Sequence, residues 1–172
     1  MSSKKNPHIK NVNLKVLEIK ETPNGEPADA VVVELTKGEQ AGTVTNQSGQ
    51  IIPVFLGEMT YQRPGKDKKK NIDMVEALFA NNEGEESDPG NIVLKVDLTQ
   101  GNTFASPLVT TIPSDETSVP THCMNIEGSG DAQITINFME PAQGEFVAYP
   151  ALYFHTAEGI IDPGITVRRK SD

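Results

Sequence analysis

Cys123 is the chain's only thiol, and His122 stands next to it. A thiol and an imidazole become a nucleophile and its base only when both reach the same side of the backbone. Consecutive residues of a strand point to opposite faces, so adjacency alone does not pair them, and Cys123 reads better as a small buried hydrophobe. A single cysteine closes neither an internal disulfide nor a cysteine-based zinc site. His8, His122 and His155 are far apart, and neither H-x-x-x-H nor H-E-x-x-H occurs. Residues 82–91 gather carboxylates and glycine, yet without the alternating oxygen ligands and distal glutamate of an EF-hand loop. They read as a solvated acidic loop. No serine has the strand–turn–helix setting of G-x-S-x-G, and no glycine pattern joins a strand to a helix as a phosphate cradle. No catalytic residue, metal ligand or cofactor is assigned, and the chain is expected to be non-enzymatic.

One cluster keeps a binding chemistry open. Tyr61, Arg63, Lys66, Lys68, Lys69 and Lys70 place an aromatic ring and five cations in or beside a basic loop at 62–71. Single-strand nucleic-acid binders combine such cations with rings on which bases stack. Against this, the chain has only three Tyr, six Phe and no Trp. A core of this size needs most of them. Tyr149 and Tyr153, four apart on one face of a regular strand, offer at most a small platform and are equally suited to packing.

Charge is unevenly placed. Residues 1–70 hold eleven Lys and Arg against eight Asp and Glu; residues 71–172 hold four against sixteen, within a net charge of −9. Such a dipolar distribution suits pairing with a second copy or with another protein, although acidic loops also serve solubility alone. The N-terminal residues lead into no apolar targeting segment, and no apolar run reaches the length of a membrane span. A cytoplasmic protein without membrane contact is expected.

The elements that must carry these residues are short apolar runs punctuated by Gly, Pro, Asn and Asp. Val12, Leu14 and Val16 alternate in the first run, and Val31, Val33 and Leu35 in the second, suggesting a hairpin with a long connection. Asn46-Gln47-Ser48-Gly49 reads as a turn before a strand at 51–61, which Pro53 and Gly57 place at an edge or bulge. Leu94, Val96 and Leu98, then Ile134, Ile136 and Phe138, complete the expected core. Gly128-Ser129-Gly130-Asp131 marks a hairpin. Ile72, Val75, Leu78 and Phe79 recur at helical spacing behind the possible cap Asn71, so one short helix is expected near 72–80, with a strand as its competitor. The chain is expected to be a single all-β domain over 1–172, with polar ends at 1–8 and 168–172. Its fold would be an antiparallel sandwich or barrel of about nine or ten short strands.

The segment Gly159-Ile160-Ile161-Asp162-Pro163-Gly164-Ile165-Thr166-Val167 resembles the closing strand of bacterial inclusion-body proteins of the PixA/AidA family. Over those nine residues the resemblance implies a cytoplasmic β-sandwich of unclear biochemical role. The functional expectation is a non-enzymatic β-sheet module that binds a partner or assembles with itself. Single-stranded nucleic-acid binding through 61–70 is the alternative.

Overall fold

The computed structural model describes residues 9–10, 15–20, 30–62, 65, 67–79, 91–120, 124–128, 131–139 and 151–169. They are all-β. Among the described residues thirteen strands form two sheets: β1 (Ile9–Lys10), β2 (Val16–Lys20), β3 (Val31–Thr45), β4 (Ile51–Gln62), β5 (Lys69–Ile72), β6 (Met74–Phe79), β7 (Asn91–Leu98), β8 (Phe104–Thr110), β9 (Met124–Glu127), β10 (Gln133–Met139), β11 (Tyr153–Thr156), β12 (Gly159–Asp162) and β13 (Ile165–Arg169). The larger sheet runs β8-β11-β12-β4-β3-β7-β10-β9, with β5 beside β4, and the smaller runs β1-β2-β6-β13. The larger sheet curls into a nearly closed barrel. At the closure, Phe104 N–H on one terminal strand donates to Asp131 O (2.8 Å), in the turn of the β9–β10 hairpin at the other end.

Period-two burial builds the interior. Val31, Val33 and Leu35 of β3, Ile92, Leu94, Val96 and Leu98 of β7, and Ile134, Ile136 and Phe138 of β10 all point inward. Leu17, Ile19, Val75, Ala77 and Ile165 of the smaller sheet belong to the same apolar cluster, so both sheets share one core. Phe104 and Phe154 meet edge-to-face within it, with ring centroids 5.9 Å apart.

Four connections carry the chain between the sheets, and two of them are short and described. Asp73 separates β5 from β6, and Pro163-Gly164 separates β12 from β13. They lie together, because Val75 N–H donates to Gly164 O (3.0 Å).

Several expectations are corrected. Residues 72–79 are strand, and no helix occurs among the described residues. The apolar spacing imitated a helix, but Asp73 breaks the run, and β6 lies between β2 and β13, parallel to both. The sheets are mixed rather than antiparallel, since β3 also runs parallel to β7 and β4 to β12. β2 and β3 make no hairpin; they belong to different sheets. Val16 is only half-buried, and Leu17 and Ile19 face the core instead. Lys15, at φ 62°, immediately precedes β2, and its carbonyl accepts from Asp73 N–H (2.7 Å). Val12 and Leu14 lie outside the described residues. Two strands are long: the run that carries Val31, Val33 and Leu35 continues to Thr45 as the fifteen-residue β3, and β4 has twelve residues. β4 is no edge, because β3 covers one side and β12 and β5 the other; the register shifts fall on β3, opposite. The second half of the basic loop is β5, and Arg168 and Arg169 of the expected polar end pair within β13. Of the acidic loop only Asn91 is described, as the start of β7.

Candidate interaction surface

The basic cluster is divided by the strand geometry. Tyr61 lies on the core face of β4 and is 3% exposed, so its ring offers no stacking surface. Lys69 Nζ pairs with Glu34 Oε1 (2.6 Å) across β4. That contact, more than any other, holds the Glu34 carboxyl below the usual range; Thr60 Oγ1 donates to the same oxygen (3.3 Å). Lys68 and Lys70 are exposed. Arg63 and Lys66 lie outside the described residues. Lys69 and Lys70 sit on β5, whose one partner strand among the described residues is β4. Lysines on such an edge discourage further strand pairing, which is a complete structural reason for them.

The histidines and the cysteine make no shared site among the described residues, since His8, His122 and Cys123 lie outside them. Tyr149 does too. No group of three or more His, Cys, Asp or Glu among the described residues is placed to hold a metal ion. His155 is buried on β11, and its Nε2 lies 2.8 Å from the Thr110 hydroxyl of β8. Desolvation pushes its pKa down to about 4, so the ring is neutral near pH 7. Thr110 is fully buried and presents no surface to a substrate. The pair ties two strands together.

A surface that the sequence reading passed over is the outer part of the β3–β4 hairpin. Residues 40–57 contain no charged side chain, between Glu39 and Glu58. The turn that closes this arm is built around Asn46. Its Oδ1 accepts from Ser48 N–H (3.1 Å), Ser48 Oγ (2.8 Å) and Gln50 N–H (2.9 Å), while Gly49 takes φ 87°. The arm is held at both ends. Lys37 Nζ reaches Glu158 Oε1 (2.7 Å) and lies 4.6 Å from the centre of the Phe55 ring. Gln47 Nε2 donates to Asp115 Oδ1 (3.1 Å).

The ladder shows which backbone groups face outward. Asn46 N–H donates to Gln50 O (2.9 Å), marking a hydrogen-bonded pair, and such pairs alternate along an antiparallel ladder. Val44–Ile52 is the next hydrogen-bonded pair, with Thr45–Ile51 and Thr43–Pro53 between. Thr43 and Thr45 therefore aim N–H and C=O away from β4. Pro53, lacking N–H, occupies a position where β3 needs none. On the side away from β4, β7 covers β3 only from Val31 to Leu35, and no strand among the described residues pairs with it beyond. The side chains here are apolar or neutral: Ile51 is 72% and Leu56 49% exposed. Val44, Ile52 and Val54 are half-buried.

No family model matches the chain, and neither a curated protein nor a solved structure matches it. The nine-residue resemblance to the PixA/AidA proteins stands alone and supports no functional assignment. Among the described residues no helix is long and apolar enough to cross a membrane.

Proposed function

We propose that this protein is a non-enzymatic β-sheet module that assembles with copies of itself, acting in the cytoplasm. One observation carries the reading: the β3–β4 arm is exposed and uncharged, with backbone groups of β3 facing outward. Contiguous apolar or unpaired strand surface is the usual mark of a contact. The measurement is sedimentation equilibrium over a hundredfold range of protein concentration. Association that rises with concentration supports the reading, and a monomer throughout defeats it.

A second reading, single-stranded nucleic-acid binding, is supported by Lys68 and Lys70, which stay exposed beside the arm's base. It has no help from the Tyr61 ring. It predicts retention of oligonucleotides at low salt that falls steeply as salt rises and is abolished by Lys68→Glu with Lys70→Glu. Absence of retention at low salt removes it.

A further inference from the structure

We propose that the edge of β3 from Thr43 to Thr45, which no strand among the described residues covers, pairs antiparallel with the same three residues of a second copy. This rests on the self-assembly reading and names its contact. The edges differ in how they are defended. β1 ends in Lys10, β13 carries Arg168 and Arg169, β9 ends in Glu127, β5 carries Lys69 and Lys70, and β8 contains Pro107. Each has a charge or a proline, the devices that keep strand edges from pairing. The stretch of β3 from Gln40 to Thr45 has neither. Register shifts between Lys37 and Gly42 interrupt its inner part, which leaves Gly42–Thr45 as the regular edge.

Geometry selects the register. Within Gly42–Thr45, only Thr43 and Thr45 present outward N–H and C=O groups, so an antiparallel mate that engages both sets Thr43 against Thr45 and Val44 against Val44. A two-fold axis then passes beside Val44, giving a closed, isologous contact. Two hydrogen-bonded pairs form, and Thr–Thr and Val–Val neighbours across the seam are favourable cross-strand pairs.

Charge selects the occupant. With a net charge of −9, copies repel over most of their surface, and a basic partner would be drawn to the acidic part of the chain rather than here. The arm has no charge from Gln40 to Gly57, so two copies meet there with least repulsion.

The test compares wild type with Thr43→Pro, Thr45→Lys and Thr43→Val by sedimentation equilibrium at low and high salt, with a thermal melt of each. Thr43→Pro removes an outward N–H and leaves the β3–β4 bonds in place. Thr45→Lys puts a charge on the edge while keeping the backbone. Both are expected to weaken dimerisation at least about tenfold without lowering the melting temperature of the monomer. Thr43→Val should associate like wild type, and added salt, by screening the repulsion between copies, should leave the wild-type constant unchanged or strengthen it. Should either disrupting variant melt early, the other decides. Wild type that dimerises while both variants do so equally, or whose dimer dissolves in salt, overturns this contact but leaves self-assembly standing. A monomeric wild type overturns both.

Discussion

His155 is the residue whose environment makes the firmest prediction. Its folded pKa of about 4 lies below the ordinary 6.5, because burial penalises the charged ring. Between those values the unfolded chain binds a proton that the folded chain refuses, so stability rises with pH across this window. The contribution is complete above about 6.5, shrinks as pH falls, and levels off below about 4. The full swing is on the order of 3 kcal/mol. Glu34 and Asp115, both held below their ordinary values, add a loss at lower pH: Glu34 chiefly through its bond from Lys69, Asp115 through the Thr117 hydroxyl. Urea unfolding of wild type and His155→Gln at pH 4.5 and 7 isolates the histidine. The wild type should lose more stability on acidification than the variant, and equal losses would count against the buried, neutral ring. Nothing local in the sequence marked His155 out. Its partner Thr110 is forty-five positions away, and both turn inward only because β8 and β11 are neighbours. Tyr61 failed as a stacking candidate for a similar reason. Its place beside lysines suggested a loop, but the alternation Met59, Tyr61 was the stronger signal and put the ring inside.

Elements closed by local chemistry were the legible ones. The turn Asn46-Gln47-Ser48-Gly49 is where the residue types require it, because an Asn side chain can satisfy following N–H groups and glycine accepts positive φ. Asn46→Ala strips the buried side-chain acceptor from the N–H groups of Ser48 and Gln50 in an otherwise exposed turn. A loss of about 1–2 kcal/mol is expected in denaturant melts, and Asn46→Asp, which keeps the acceptor, should recover most of it. If the alanine and aspartate variants melt alike, the side-chain acceptor is not what holds the turn. Residues 72–79 were misread because their context is remote. Ile72, Val75, Leu78 and Phe79 fit a helical stripe as written, yet Val75 and Ala77 are buried as alternate residues of a strand whose two neighbours come from opposite ends of the chain. Parallel pairing of that kind leaves no mark on the segment itself. The β3 edge was missed differently: the absence of charge from 40 to 57 was visible, but its importance depends on β7 stopping at Leu35.

At the scale of the whole molecule, the question is whether two sheets behave as one body. Their inward faces form a single apolar cluster, and two of the four connections between them lie side by side. Gly57 sits at this junction. A methyl group there would stand 2.8 Å from Leu35 Cδ1, 2.8 Å from Pro163 Cα and 2.9 Å from Ile161 Cγ2. Leu35 and Ile161 belong to the larger sheet, while Pro163 is the backbone leading into the smaller one. Leu35 can adjust its rotamer; the Pro163 backbone can yield only by moving the β12–β13 connection. Gly57→Ala is therefore expected to cost about 1–3 kcal/mol, as overpacked cores do. The manner of unfolding is the sharper readout. With a shared core, fluorescence of the tyrosines and far-ultraviolet circular dichroism should report one coincident transition, shifted as a unit by the substitution. Two separated transitions, with only one moved by Gly57→Ala, would mean that the smaller sheet is stable on its own. The common interior would then be a contact between two folding units instead of the single core on which the one-domain expectation depends.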